Sequence, residues 1–433
     1  MLRQAPKGTK DIMPENIYKW QYVESVFFDI CRKYGYEEIR TPTFEQTDLF
    51  ARGVGDTSDI VQKQMYTFED MGGRSMTLRP EGTSGVVRAF LENKVYADAQ
   101  PTKYCYESRC FRYEKPQAGR LREFNQFGVE VFGSDVMLAD AEVISIADTF
   151  LRTLKIKDLE LRINSIGCPD CRPTYREALK DFFRPNFEKL CPTCQSRFET
   201  NPMRILDCKS PVCQELSEGA PYMLDFLCSR CEGSFKQLKI ELDILGIEYI
   251  VDPGIVRGLD YYTKTAFEFV TNMIGAQGTV CGGGRYNNLI EELGGPSTPG
   301  VGFGLGIERL LLLMDESDAE FPKNPRADAF LVWIGVEAKK RVISLATELR
   351  NEGYSIVIDT LNRPVKNQMK YADRIGAKHS IVIGDDEMKT GKVVVKNMST
   401  GEKTEVEISE IGEVIKQDRN SFAFSMRDKE VLL

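Results

Sequence analysis

The segment from Glu107 to Glu130, ESRCFRYEKPQAGRLREFNQFGVE, most constrains the fold, because two strand-like runs flank a turn that contains Pro and Gly. Residues 102–114 and 122–133 carry the aromatic and β-branched side chains typical of strands. They predict an antiparallel hairpin with Arg120 at the turn and with Arg109 and Arg112 on the first strand. Alternate residues of a strand share a face, so the second strand predicts one row: Arg122, Phe124, Gln126, Gly128 and Glu130.

That row has the chemistry of a binding surface. The row offers in turn a cation, an aromatic ring, an amide, a position without a side chain and a carboxylate, which suit binding of a flat base and a small polar amine. Guanidinium groups held in fixed positions suit binding of phosphate. The alternative is an ordinary surface hairpin with solvated charges, which is the usual fate of arginine-rich strands.

Residues 299–314, PGVGFGLGIERLLLLM, favour the binding interpretation. Their glycines recur at period two and are followed by an apolar helical run that begins near Glu308 and Arg309. The four glycines, Gly300, Gly302, Gly304 and Gly306, would leave one strand face bare, so that a flat ligand could lie on it. No Gly-Lys-Ser/Thr follows, so this is not a P-loop. Close packing of the helix on the strand would also explain the glycines, but it would leave Arg309 unexplained.

Together the two segments resemble motifs 2 and 3 of the class II aminoacyl-tRNA synthetases. RGLDYYTKTAFEFV, which begins at Arg257, and GTVCGGGRYNNLIEELGG resemble the two signature peptides of histidyl-tRNA synthetases. KGTKDIMP, RTPTFE with Pro42 (motif 1), TLRPEGT and the C-terminal QMKYADRIGAK extend the likeness over nearly the whole chain. One departure is Asn287, where the family usually has Asp after GGRY.

The resemblance implies ATP-dependent activation of L-histidine to histidyl-adenylate, with Mg²⁺ accompanying ATP, and transfer to tRNA(His) by a homodimer. One alternative is a non-catalytic regulatory paralogue acting in histidine biosynthesis, and another is a synthetase for proline or threonine. The regulatory paralogue usually lacks an intact RGLDYYT peptide and the C-terminal domain. The same peptide and Glu130 disfavour a synthetase for another amino acid.

The resemblance also implies roles for single residues. Catalytic roles fall to Arg257, placed between substrate carboxylate and α-phosphate, and to Arg112 at the α-phosphate. The ATP-binding residues would be Arg112, Arg120, Phe124 and Arg309, with Phe124 stacked on adenine. The histidine-binding residues would be Glu81, Thr83 and Gln126 at the amino group, Glu130 and Tyr262 at the imidazole nitrogens, Tyr286 nearby, and Arg257. The chain has a single histidine, His379, far from these motifs, which excludes an imidazole base from the catalytic domain.

A chain of 433 residues can hold two or three domains with full cores. We expect an α+β catalytic domain, in which helices cover the antiparallel sheet of class II synthetases, with a small inserted domain and a C-terminal α/β anticodon-binding domain. The expected bounds are 1–160 and 248–322 for the two parts of the catalytic domain, 161–247 for a cysteine-rich insertion, and 327–433 for the anticodon-binding domain. EFPKNPRAD, with Pro322 and Pro325, is the expected linker.

Charge and hydropathy predict a cytoplasmic protein. The first ten residues lack the apolar core of a signal peptide, and no apolar stretch is long enough to cross a membrane. The net charge of −8 argues against indiscriminate nucleic-acid binding, so RNA would have to meet local basic patches. One candidate is the stripe of Lys366, Lys370 and Arg374, at four-residue spacing on a predicted helix. A solvated helix face is the alternative for this stripe.

The expected insertion contains eight of the twelve cysteines, in four closely spaced pairs: Cys168 and Cys171, Cys191 and Cys194, Cys208 and Cys213, Cys228 and Cys231. Such spacings let two thiolates reach one metal ion, and eight ligands could make two four-cysteine zinc sites. Reduced buried thiols, an iron–sulfur cluster and redox disulfides are alternatives. Many family members lack these cysteines, so any metal here would be structural. The sequence leaves open which pairs share an ion.

Overall fold

The chain, seen in a computed structural model, forms two compact units, Met1–Pro322 and Lys323–Leu433. The structure describes residues 3–55, 58, 60–208, 210–273, 278–317, 319–322, 324 and 326–416. The boundary between the units falls within the expected linker, of which Pro325 lies outside the described residues.

The first unit is built on one large sheet. In chain order its strands are β1 Glu37–Glu38, β2 Phe44–Gln46, β3 Tyr66–Glu69, β4 Ser75–Leu78, β5 Thr102–Phe111, β6 Glu123–Phe132, β7 Leu159–Ser165, β8 Ile250–Val251, β9 Thr263–Thr271, β10 Thr279–Arg285 and β11 Gly300–Gly306. Eight of them form the order β1-β5-β6-β11-β10-β9-β7-β8, antiparallel except for the edge pairs β1–β5 and β7–β8. Strands β2, β4 and β3 form a separate small antiparallel sheet.

The first unit also contains helices, some of which cover one face of the large sheet while others pack in a second hydrophobic core. In chain order they are α1 Pro14–Lys33, α2 Thr47–Val54, α3 Thr83–Glu92, α4 Met137–Thr153, α5 Arg172–Phe183, α6 Pro192–Thr200, α7 Pro211–Leu216, α8 Ser229–Ile244, α9 Leu289–Glu292 and α10 Ile307–Glu316. Helix α1 begins at a proline, whose fixed φ suits the first helical position, and it buries Phe27 against Phe127 of β6 at 4.3 Å between ring centroids. Phe127, Val129 and Val131 of β6 belong to this core, so the alternate residues of the strand face the other side of the sheet.

The cysteine-rich segment is helical between β7 and β8 within its described residues, with α5 to α8 and short 3₁₀ turns. The expected start of the insertion at 161 lies inside β7, which pairs with β9 and so belongs to the large sheet. The helical segment therefore begins after Ser165. The apolar residues of α5 to α7 pack around Tyr175, Leu179 and Phe183 of α5, whereas those of α8 join the core of the large sheet.

The second unit is a three-layer α/β arrangement. Its elements are β12 Ala329–Trp333, α11 Val336–Asn351, β13 Ile356–Ile358, α12 Val365–Arg374, β14 His379–Ile383, α13 Asp385–Thr390, β15 Lys392–Asn397 and β16 Lys403–Glu407. The sheet order is β13-β12-β14-β15-β16, with parallel pairs around β12 and antiparallel pairs after β14. The alternating pattern of the sequence predicted this arrangement apart from α13 and β16. In the described ranges, every helix is too short or too polar to cross a membrane.

Candidate active-site cleft

The period-two glycines do clear one face of the large sheet. Gly304 of β11 lies opposite Gly128 on one side and Gly282 on the other. A Cβ atom at Gly282 would lie 2.6 to 2.9 Å from the Arg257 guanidinium, which therefore rests directly on the backbone of β10. A side chain at this position would displace the cation, so glycine is needed for close approach.

Four arginines surround a cleft of about 450 Å³ above this bare face: Arg112, Arg120, Arg257 and Arg309. Phe124 lines the same cleft, and the Arg112 guanidinium is 5.1 Å from the centre of its ring. Gln126 and Glu308 line the same cleft. The predicted ATP-binding residues are thus brought together, although Arg112 and Arg122 flank β5 and β6 rather than lying within them. Arg109 is exposed and pairs with Glu123 instead.

Protein groups fix the direction of these cations. Arg112 Nε donates to Pro80 O at 2.8 Å, Arg120 Nη1 lies 2.8 Å from Glu114 Oε2, and Arg309 Nη1 donates to Thr279 O at 2.6 Å. Burial lowers the pKa of Arg309, and the charge of Arg120 lowers it further. Two like charges at one wall of a cleft favour binding of an anion between them.

Arg257 has a partner that sequence reasoning missed. Its guanidinium pairs with Glu268 of β9, whose other oxygen accepts a 2.8 Å hydrogen bond from Thr279 Oγ1. Burial disfavours the charge of Arg257, but Glu268 and the neighbouring Tyr262 raise its pKa above the ordinary value. Arg257 Nε is buried and has no hydrogen-bond partner among the described residues, which leaves a donor for a ligand.

The predicted imidazole-binding residues form a buried cluster beside the cleft. Glu130 is fully buried and accepts hydrogen bonds from Thr83 Oγ1 at 2.7 Å, from Tyr106 OH at 2.8 Å and from Tyr286 OH. The rings of Tyr262 and Tyr286 are 6.3 Å apart. Tyr106 was missed, although it faces Gly128 directly across β5 and β6, and that register could have indicated it.

Glu81 lies at the start of α3, where its carboxylate accepts the backbone N–H groups of Thr83 and Ser84 at 2.6 and 2.8 Å. This is the position where helices favour negative charge. Several predicted histidine-binding residues do not line the open cleft, because tyrosine and threonine hydroxyls fill the space around Glu130. These residues are Glu81, Thr83, Glu130, Tyr262 and Tyr286. Gln126 does line it.

Burial raises the pKa of Glu130 to about 8, although the three hydroxyl groups that donate to it lower the pKa. The folded chain thus holds this proton more tightly than the unfolded chain, in which the pKa is near 4.5. Stability should therefore fall as pH rises from about 4.5 to 8, by up to roughly 5 kcal/mol.

Urea unfolding at several pH values tests this prediction. Glu130→Gln should be less pH-dependent than the wild type over that window, whereas the exposed control Glu316→Gln should follow the wild type. Parallel curves for the wild type and Glu130→Gln would contradict a raised pKa.

The remaining predicted residues lie elsewhere. The eight cysteines form two groups, Cys168, Cys171, Cys228 and Cys231 in one and Cys191, Cys194, Cys208 and Cys213 in the other. Lys366, Lys370 and Arg374 are all exposed on α12. His379 is buried in the second unit, with Nδ1 2.8 Å from Asp328 O.

Comparison with known families and relatives agrees with this geometry. The histidyl-tRNA synthetase family profile matches residues 8–169 and 231–310, and an anticodon-binding domain profile matches residues 328–418. Histidine–tRNA ligase from Caldanaerobacter subterraneus subsp. tengcongensis is 56% identical over 416 residues, which cover 96% of this chain and 100% of that protein. The corresponding ligase of Clostridium perfringens strain SM101 is 54% identical over 419 residues, again 96% and 100%.

Solved structures give the same result. The crystal structure of apo histidyl-tRNA synthetase from S. aureus superposes with a TM-score of 0.82 at 44% identity, covering 96% of this chain and 100% of that one. An ATP phosphoribosyltransferase regulatory subunit/histidyl-tRNA synthetase from Bacillus halodurans has a TM-score of 0.62 at 21% identity, covering 89% and 98%. The second likeness reflects the shared fold alone.

Proposed function

The chain belongs to the histidyl-tRNA synthetase family, and from this premise we propose that its arginine-lined cleft joins L-histidine to ATP and then charges tRNA(His). It is an aminoacyl-tRNA ligase rather than a regulatory paralogue, since the ligases it matches are more than half identical over their whole length. The observation that carries the site assignment is the position of Arg257. Its guanidinium lies on the glycine face of a cleft that three further arginines line, and its buried Nε has no partner within the part of the chain that the structure describes.

The first step needs alignment and charge stabilisation rather than a protein nucleophile. The histidine carboxylate attacks the α-phosphate of ATP, a P–O bond forms, and pyrophosphate leaves. Arg112 and Arg257 are suited to the α-phosphate, where negative charge spreads in the transition state, and Arg120 and Arg309 to the outer phosphates. Phe124 offers a flat ring for adenine.

We expect the amino acid to lie between Arg257 and the Glu130 cluster. Glu81, Thr83 and Gln126 offer oxygen acceptors for its amino group, and Glu130, Tyr262 and Tyr286 would surround its ring. A site that hydrogen-bonds both ring nitrogens rejects isosteres, because an unpaired buried polar group costs about 1 to 3 kcal/mol.

Mg²⁺ is expected to enter with ATP, bound mainly by phosphate oxygens and water. The donors in the cleft fit this role, because Glu114 and Glu308 line it beside Arg120 and Arg309. The ion would neutralise charge on the leaving pyrophosphate. The insertion cysteines lie outside the cleft, so zinc bound there would be structural.

Histidine-dependent exchange of pyrophosphate into ATP tests the activation step. Exchange should require histidine and should not be supported by proline or threonine. Absence of exchange with pure, folded protein would refute the assignment of this cleft.

In the second step the terminal ribose hydroxyl of tRNA attacks the histidyl-adenylate and AMP leaves. Cytoplasmic tRNA is the expected partner, held in part by Lys366, Lys370 and Arg374 on α12. Replacing all three with Ala should weaken tRNA charging about tenfold or more and should flatten its salt dependence by up to roughly three units of log–log slope.

The same triple variant should leave pyrophosphate exchange unchanged. Replacing the exposed Lys340, Lys389 and Lys403 elsewhere in the second unit is the matched control for loss of positive charge. Loss of exchange in the α12 variant would mean that the helix supports the catalytic unit instead.

A homodimer is the expected assembly. The small sheet exposes Phe44 and Phe68, with rings 6.3 Å apart, and motif 1 with Pro42 leads into it. Exposed aromatic pairs of this kind are typical of interfaces. We predict a dimer at micromolar concentration in sedimentation velocity, and dissociation of Phe44→Glu/Phe68→Glu to monomer. A wild-type monomer would contradict this prediction.

A further inference from the structure

The two cysteine groups have the dimensions of metal centres. Within each group all four sulfur atoms lie within 4.8 Å of one another. The Sγ–Sγ distances are 3.6 Å for Cys168 to Cys171, 3.9 Å for Cys168 to Cys228 and 3.8 Å for Cys191 to Cys208. Four sulfurs at about 2.3 Å from a tetrahedral zinc ion lie about 3.8 Å apart, so these edges match a zinc site.

The surroundings of the sulfurs agree with thiolates. All eight are free cysteines at distances too long for disulfides. Backbone N–H groups point at them: Cys228 N lies 3.1 Å from Cys171 Sγ, and Ser210 N lies 3.4 Å from Cys208 Sγ. N–H donors stabilise the negative charge of metal-bound thiolates.

We propose that the chain holds two structural zinc ions in nested centres, and that the outer centre positions the peptide that follows Arg257. The inner centre consists of Cys168, Cys171, Cys228 and Cys231, and the outer centre of Cys191, Cys194, Cys208 and Cys213. The pairing joins the first and last cysteine pairs and encloses the two middle pairs. The family profile leaves residues 170–230 unmatched, and all four cysteines of the outer centre lie there with Cys171 and Cys228 of the inner one. The outer centre therefore belongs to the unmatched segment, and the inner centre joins that segment to the matched residues on either side.

The inner centre joins the start of the helical segment, which is hydrogen-bonded to β9 and the residue before it, to the last helix of that segment. Gly167 O, one residue before Cys168, accepts a 2.8 Å hydrogen bond from Lys264 N, and Arg172 donates to Tyr262 O. Zinc here would tie the start of α5 to the start of α8.

The outer centre encloses the segment that touches the signature peptide. Between Cys194 and Cys208, Arg204 is buried and donates to Gly258 O at 2.5 Å and to Asp260 Oδ1 at 3.2 Å. Asn201 Nδ2 donates to the same Asp260 oxygen at 3.1 Å. Gly258 is the residue after Arg257, and Asp260 follows two residues later, so zinc at the outer centre would limit movement of that arginine. This positioning role rests on the proposed function.

Metal analysis of reduced, tag-free full-length protein tests the ions themselves. We expect about two zinc per chain and, by X-ray absorption, four sulfur neighbours near 2.3 Å. Iron in place of zinc, or metal-free protein with all eight thiols open to titration, would overturn the proposal.

Double variants test the pairing. Cys191→Ser/Cys208→Ser removes ligands from one centre and should retain one zinc, whereas Cys191→Ser/Cys228→Ser should retain none. If neighbouring pairs in sequence shared an ion instead, the first variant would lose both, and Cys168→Ser/Cys191→Ser would retain one. That second pattern would overturn the nested arrangement.

Pyrophosphate exchange tests the positioning role. Arg204→Ala and Asn201→Ala should each keep two zinc ions. Arg204→Ala should raise the KM for histidine or lower kcat by roughly ten- to 100-fold, and Asn201→Ala should have a smaller effect. Both variants should leave the KM for ATP nearly unchanged. Cys191→Ser/Cys208→Ser should likewise change the kinetic constants for histidine more than the KM for ATP. Wild-type kinetics in all three would overturn the positioning role. Absence of exchange in the wild type would refute the proposed function and leave the zinc count standing.

Discussion

Replacing Arg257 with Ala should lower the rate of histidine activation by about 100-fold or more, while the chain remains folded. The guanidinium lies on the backbone of Gly282, within the cleft that three further arginines line. Its Nε, which has no hydrogen-bond partner in the described ranges, can donate to an oxygen whose charge grows as the carboxylate attacks. An interaction that strengthens in the transition state affects kcat more than KM. Pyrophosphate exchange with saturating histidine and ATP measures this loss.

Two variants separate geometry from charge. Arg257→Lys keeps the cation but loses the planar fork, so it should recover only part of the rate. Arg109→Ala removes an arginine that is exposed and pairs with Glu123, and it should behave like the wild type. Because Arg257→Ala leaves the half-buried Glu268 carboxylate without its cationic partner, thermal unfolding must accompany the kinetics. Near-normal activation by folded Arg257→Ala would refute the role.

The parts of this site that the sequence predicted are those in which local spacing fixes geometry. Period two predicted that Phe124, Gln126 and Glu130 share one face of β6. It also predicted that the glycines of β11 leave one face without side chains, and this is the same face of the sheet, because paired residues of neighbouring strands lie on the same face. The switch from glycine alternation to an apolar helix likewise placed Arg309 at the cleft. The match to the family profile and the full-length relatives confirm the resemblance to histidyl-tRNA synthetases.

Other parts depend on which strands and loops become neighbours. Glu268 pairs with Arg257 from a strand eleven residues further along the chain, and Tyr106 reaches Glu130 only because β5 pairs with β6 in one register. Strand periodicity alone indicates neither contact, and Tyr106 could have been found only by also working out the register of β5 against β6. The cysteines show the same limit, since their spacing indicated metal but could not indicate which pairs share an ion.

Replacing Glu130 is expected to have the second large effect, and it should act on histidine rather than on ATP. Glu130 has no exposed surface, and its oxygens already collect three hydroxyl donors. For a ligand ring nitrogen to reach it, one hydroxyl, such as that of Tyr286, must give way. A carboxylate so enclosed has few other partners, so removing it leaves a buried ring nitrogen without its hydrogen bond.

Glu130→Ala should therefore raise the KM for histidine by roughly ten- to 100-fold, which corresponds to about 1 to 3 kcal/mol, and should change the KM for ATP by less than about threefold. Tyr106→Phe removes one hydroxyl donor but keeps the ring and the carboxylate, so it serves as the control and should have a much smaller effect. Initial rates of exchange at varied histidine and at varied ATP give the two constants. Equal losses for both ligands would mean that Glu130 supports the fold of the sheet and does not recognise the amino acid, because a structural defect would disturb the adjoining arginine cleft as much as the histidine pocket.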